Sequence, residues 1–251
     1  MDAADWDRRY ADADLIWGAP PNQFVVEMCW SLPPRRALDL ACGEGRNAIW
    51  LGERGWEVTA LDFSQVALDK GRTVASRASR SVRGRITWHR ADVVTEDLGT
   101  DTFDLIVIAY LHLPADERRT VLRHVVRALA PRGVLVLVGH DTTNIAQGFG
   151  GPQDPAILYT PDDIVSDITD HEATTANLGD AMRVRVAEQR RRLTEAQDAI
   201  DALVVAEKAA ADPGVVHVDA VNADAVNVDA VDVDTVDVDT VDTDSAAGPA
   251  H

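Results

Sequence analysis

Apolar and polar positions along this chain follow two rhythms. Short apolar runs stand out at Ala37-Leu38-Asp39-Leu40, Phe103 to Ala109 and Val134 to Val138, and Trp56 to Leu61, with Glu57 and Thr59 inside it, reads as a further strand. Runs of that length without a polar side suit strands covered on both faces. Ile86-Thr87-Trp88-His89 reads as another. Between the runs the period is helical. Phe24, Val25, Met28 and Cys29 recur between Pro20-Pro21 and Pro33-Pro34. Val66, Ala67, Leu68 and Val74 follow the capping residue Ser64. Val121, Leu122, Val125, Val126 and Leu129 share one face of a helix that Pro131-Arg132-Gly133 stops. Pro161 opens a further helix that runs to Thr169, after a loop-like segment at 142–160. Met182 to Glu188 then alternates like a half-exposed strand, and Ala202 to Ala206 is a final apolar one. Strands alternating with helices predict an α/β protein with a doubly wound, mostly parallel sheet.

The last forty residues break this pattern. From Val218 they fall into units of five built on Val and Asp, a period that fits neither a strand nor a helical face. Residues 212–251 carry ten Asp and no Lys, Arg or Glu, which predicts a solvated, disordered tail. The expected organisation is therefore an N-terminal helical segment (1–36), a main domain (37–211) and the tail (212–251). The formal charge of −18 argues against nucleic acid or an anionic membrane as partner, and without the tail 32 acidic residues still face 24 basic ones. No apolar run approaches the roughly 20 residues of a membrane helix, and the acidic N-terminus does not read as a signal peptide. A cytoplasmic protein is the expectation. Cys29 and Cys42 show neither metal spacing nor a disulfide framework. Nothing in the sequence speaks to oligomeric state.

The chemistry concentrates at Asp39-Leu40-Ala41-Cys42-Gly43-Glu44-Gly45-Arg46-Asn47-Ala48, which reads as strand, tight turn and helix start. Two glycines around one residue let backbone approach a ligand closely, and the helix aims its free N–H groups at the same spot. Asp62 closes the second strand 19 residues beyond Gly43. A carboxylate there can accept hydrogen bonds from both hydroxyls of a ribose. Gly43-x-Gly45-x-x-Ala48 also satisfies the dinucleotide pattern, so a nicotinamide-dependent oxidoreductase is one alternative. Asp39 opposes it, because a carboxylate four residues before the turn repels a pyrophosphate and favours a cation such as an amino-acid ammonium. S-adenosylmethionine carries both an adenosine and that ammonium.

Asp39-Leu40-Ala41-Cys42-Gly43-Glu44-Gly45 resembles the first motif of class I S-adenosylmethionine-dependent methyltransferases, with Ala41 where a first glycine is common. The resemblance spans residues 5–210, including a closing pair of strands of which the last is inserted antiparallel, and implies a seven-stranded sheet. Gly43 to Ala48, Asp62-Phe63-Ser64, Tyr110-Leu111-His112-Leu113-Pro114 and Gly150-Gly151-Pro152 are most similar to the group of tellurite-resistance and thiopurine-type methyltransferases. It implies cofactor contacts from Asp39, Ala41, Gly43, Gly45, Asp62, Phe63 and Tyr110. It also implies that Asp92 meets the adenine amine and Val93 offers its N–H to the ring. In related enzymes the N-terminal segment covers the cofactor, which makes Trp17 and Tyr10 candidates for facing the sulfonium.

Methyl transfer is an in-line displacement on a cofactor that arrives activated, so positioning carries most of the rate. A base is needed only where the acceptor loses a proton. His112, His140 and Asp141 lie at the carboxyl edge of the sheet and are the candidates for that role. Neither an Asn-Pro-Pro-Tyr-like tetrapeptide nor a Pro-Cys motif is present, so a small-molecule acceptor is expected and no metal. A non-catalytic nucleoside-binding interaction protein is the remaining alternative.

Overall fold

A computed structural model of the protein describes residues 3–12, 15, 20–169, 181–194 and 197–210. The elements are α1 (Ala3–Ala11), α2 (Gln23–Cys29), β1 (Arg36–Leu40), α3 (Arg46–Glu53), β2 (Glu57–Asp62), α4 (Gln65–Ala75), α5 (Arg80–Gly84) and β3 (Ile86–Arg90). They continue with β4 (Phe103–Ala109), α6 (Ala115–Ala128), β5 (Leu129–His140), α7 (Asn144–Gln147), α8 (Pro161–Thr169), β6 (Met182–Arg192) and β7 (Ala199–Lys208). Trp17 and the Val/Asp repeat of residues 212–251 lie outside the described residues.

The strands form one seven-stranded sheet in the order β3-β2-β1-β4-β5-β7-β6. The first five are parallel, while β7 runs antiparallel to both β5 and β6. The order reverses between β1 and β4, which opens a crevice at the carboxyl ends of those strands. Because β7 is reversed, it is the start of β7 that reaches this edge.

Side chains alternate across the sheet with period two. Leu38, Leu40, Ile106, Ile108, Leu135 and Leu137 join the core shared with α6 and α8. Ala37, Leu105, Val107, Val136, Val138, Leu203 and Val205 join the core on the opposite face, with Phe24 and Val25 of α2 and Ala48 and Leu51 of α3. By the same parity Asp39, His140 and Asp201 turn toward the α2 and α3 side, and Asp141 turns away from it.

Two boundaries differ from expectation. Leu129 does not extend the helix of Val121 to Val126 but opens β5, pairing with Phe103 before a register irregularity. Pro131-Arg132-Gly133 lies inside β5, with Arg132 at φ 65°, so the chain turns into the strand without a separate loop. Within 142–160 there is also structure: α7, a 3₁₀ turn at Pro155–Ile157, and an isolated bridge between Asp141 and Tyr159.

Candidate functional site

The turn after β1 is built from left-handed residues. Ala41 (φ 56°), Gly43 (φ 55°) and Gly45 (φ 72°) all have positive φ, which bends the chain sharply into α3. Ala41 adopts a conformation that a side chain disfavours. Gly45 has a further reason to be glycine. A Cβ there would sit 2.4 Å from the Trp88 ring, and the same ring would strike a Cβ on Gly71 at 2.5 Å. Trp88 thus wedges between the start of α3 and α4.

Two buried carboxylates flank the turn. Asp39 Oδ2 accepts a hydrogen bond from the Ala48 N–H at 2.8 Å. Burial pushes the Asp39 carboxyl up to about 7, with the Ala48 N–H and Arg46 opposing the shift and Asp62 adding to it. Asp62 Oδ2 accepts from the Gly43 N–H at 2.8 Å and Oδ1 from the Ser64 N–H at 2.9 Å. Burial raises its pKa as well, against those same hydrogen bonds. Each oxygen of Asp62 has a second lone pair, so the carboxylate braces the turn and still has capacity to accept hydroxyls.

Helix α1 reaches this end of the sheet. Asp7 accepts from the Ser64 hydroxyl and from the Val66 N–H, and Lys70 of α4 donates to the Tyr10 carbonyl. Tyr10 is buried. Beyond β3, Asp92 is exposed and its Oδ1 accepts from the Val94 N–H at 2.9 Å, closing an Asx turn, while Val93 is buried. Phe63 is half-buried, its carbonyl accepting from Arg90 Nε at 3.2 Å.

A second polar cluster occupies the ends of β4 and β5. Tyr110 sits at φ 63°, a rare conformation for an aromatic residue. Its hydroxyl donates to Asp201 Oδ2 at 2.8 Å and accepts from Asn22 Nδ2 at 3.2 Å. Arg192 Nε donates to the same Asp201 oxygen at 2.8 Å, with its guanidinium 5.4 Å from the Tyr110 ring centre. Asp201 is the direct cross-strand partner of His140, and Asp201 Oδ1 lies 3.3 Å from His140 Nδ1. Burial works to raise the Asp201 pKa, but hydrogen bonds from His140, Arg192 and Tyr110 bring it below the usual aspartate value. The His140 ring lies 4.9 Å from that of Tyr110 and stacks on that of His112 at 5.5 Å.

The three candidates for a base part company here. His112 Nε2 accepts the backbone N–H of His140 at 3.0 Å. That occupies the lone pair a base would use, and burial, with His140 nearby, lowers the His112 pKa to about 4. Asp141 faces away from the crevice. Its Oδ1 takes the Thr143 N–H and hydroxyl at 2.8 Å each and Gln189 Nε2 at 3.0 Å, an anchor for the loop after β5. His112 Nε2 and Asp141 Oδ1 are thus already engaged within the protein.

Sequence reading passed over Asn22, Asn47, Asp201 and Arg192. Asn22 caps α2 through Phe24 and Val25, reaches Tyr110, and donates its own N–H to Asn47 Oδ1 at 2.9 Å. An Asn directly after Pro20-Pro21 and before an apolar helix was a readable cap. Asp201 offered one signal only, an acid at the mouth of an apolar strand.

A parallel sheet extended by a reversed strand, with a left-handed turn between two buried acids, defines the class I S-adenosylmethionine-dependent methyltransferase fold. The chain carries that fold, and its similarities to known proteins support S-adenosylmethionine as the cofactor that goes with it. Residues 37–133 match a family model described as a methyltransferase domain. The Bacillus subtilis protein YqeM, named as a methyltransferase, is 34% identical over 143 residues, 54% of this chain and 55% of its own. A demethylmenaquinone methyltransferase of Thermus thermophilus is 32% identical over 128 residues, 50% of this chain and 54% of its own. The chain thus spans about half the length of these curated relatives. A solved S-adenosylmethionine-dependent methyltransferase of Methanosarcina mazei shares the fold at a TM-score of 0.59 and 16% identity, covering 76% of this chain and 99% of its own.

Proposed function

We propose that the protein transfers a methyl group from S-adenosylmethionine to a small-molecule acceptor. The observation that carries this reading is the pair of buried carboxylates on either side of the Ala41–Gly45 turn. Asp39 is 1% exposed, and burial lifts its carboxyl to about 7 despite the opposing Ala48 N–H and Arg46. An ammonium favours the ionised carboxylate, and a pyrophosphate would disfavour it. Asp62 retains acceptor capacity for a ribose. The residues present therefore fit the cofactor of the class.

In this reading Asp39 holds the methionyl ammonium, and Asp62 the ribose. Gly43 and Ala41 set the turn, and Phe63, Asp92 and Val93 receive the adenine. The ring of Tyr110 closes the inner wall. Its hydroxyl is engaged with Asp201 and Asn22. When bound, the cofactor supplies a methyl on an already activated leaving group. The chain's share is orientation and the exclusion of water.

A small acceptor is supported by the missing nucleic-acid methyltransferase signatures and by the acceptor named for the Thermus relative, a demethylmenaquinone. Among the described residues no helix is long and apolar enough to cross a membrane. A cytoplasmic setting belongs to the same proposal.

Calorimetric titration of the purified protein with S-adenosylmethionine, S-adenosylhomocysteine and NAD tests the reading. Both adenosyl compounds are expected to bind and NAD to give no heat. Saturable NAD binding without adenosyl binding would overturn it.

A further inference from the structure

His140 Nδ1 and Asp201 Oδ1, both buried, face each other at 3.3 Å, and neither has another hydrogen-bond partner among the described residues. One arrangement satisfies both at once. A proton on Nδ1 points at the carboxylate and leaves Nε2 with a free lone pair. The rest of the surroundings hold that arrangement in place. Asp201 is fully buried, and its other oxygen is fixed by Tyr110 and Arg192, so the carboxylate cannot rotate away. The His140 backbone N–H is tied to His112, whose neutral ring stacks on the imidazole. On the remaining side the loop after α7 crosses the ring so closely that a Cβ on Gly151 would lie 2.7 Å from Nε2. Among the described residues no hydrogen bond ends on Nε2.

We propose that His140, oriented by Asp201 as its positioning residue, takes the proton of the methyl acceptor, and that the acceptor is a protic nucleophile bearing O–H or N–H. The inference rests on the methyltransferase reading above and deepens it. The acceptor's lone pair forms the new bond to the methyl carbon while the carbon–sulfur bond returns its pair to sulfur. The acceptor's proton passes to Nε2. The positive charge that leaves sulfur thus reappears on the imidazolium, beside the Asp201 carboxylate. The groups facing His140 are Tyr110 and His112 from the end of β4, Asp201 from β7, Arg192 from β6 through Asp201, and Gly151. Asp201 is the one anion among them, and it is the group that stabilises the imidazolium. A thiolate or an oxyanion acceptor, of the kind the tellurite and thiopurine resemblance implies, needs no such base and gives this buried pair no task.

The test is long-range nitrogen–proton correlation spectroscopy on histidine-labelled protein saturated with S-adenosylhomocysteine, with His140→Gln used to assign the signal. Neutral His140 is expected as the Nδ1–H tautomer, and Asp201→Asn is expected to shift it toward Nε2–H. An Nε2–H tautomer in the unmodified protein would overturn the proposal without any variant. So would a tautomer that ignores Asp201→Asn in a variant that still binds S-adenosylhomocysteine. Labelled-methyl transfer to phenol and amine probes should fall about 10²–10⁴-fold in His140→Gln and Asp201→Asn, with the KM for S-adenosylmethionine unchanged. Transfer confined to thiol probes and indifferent to both changes would also refute it. Failure of S-adenosylhomocysteine to bind the unmodified protein would instead sink the methyltransferase reading itself.

Discussion

With Asp39 holding the cofactor's ammonium, as proposed, its chemistry gives cofactor affinity a pH dependence. Burial has lifted its pKa from 3.8 to about 7, so between those values the folded chain binds a proton that the unfolded chain has released. Stability from this group therefore falls as pH rises from about 4 to about 7. An ammonium beside Asp39 favours the ionised carboxylate, so binding below pH 7 must displace the proton. Calorimetry should show S-adenosylmethionine affinity rising up to about tenfold per pH unit between pH 5 and 7 and levelling above. Asp39→Asn should bind weakly and without that slope, and its stability relative to the unmodified protein should improve with pH. Loss of affinity with the slope intact would assign the titration elsewhere.

Among the elements, the strands and the two acids of the turn were legible in the sequence. A buried parallel strand has no polar side and stands out as a run, and Asp39 and Asp62 are marked by their spacing from Gly43. The division of labour among His112, His140 and Asp141 was not legible. Consecutive residues on a strand face opposite ways, so His140 and Asp141 were bound to separate. Which one met the crevice depended on the register with β7, set by pairs such as Val136 with Val205. Asp201 and Arg192 entered the site through that register, a tertiary fact invisible to local pattern. Helix α2 shows how one short element serves the site. Asn22 caps it and also fastens Tyr110 and α3. Asn22→Ala should cost about 1–2 kcal/mol in chemical denaturation, the range for a lost cap. A loss near zero would mean that water replaces its three hydrogen bonds.

For the molecule as a whole, the sheet that carries the crevice is complete at Lys208. A chain ended at Pro213 should unfold at the same denaturant midpoint as the full chain and bind S-adenosylmethionine equally well. A lowered midpoint would assign the acidic repeat a part in the fold. The same chain would shed nine of its negative charges, leaving 33 acidic against 24 basic residues. Any change in association with other macromolecules would then trace to electrostatics outside the crevice.

The reversed strand has a consequence for how the protein matures. Because β7 threads back between β5 and β6, the carboxylate that aims the imidazole emerges during synthesis some sixty positions after the histidine it serves. A nascent chain, or one clipped ahead of residue 199, retains the turn and both nucleoside-facing acids but has nothing to fix the ring. Such a fragment would have no means of aiming the imidazole, so the proposed proton transfer becomes available only once β7 is in place.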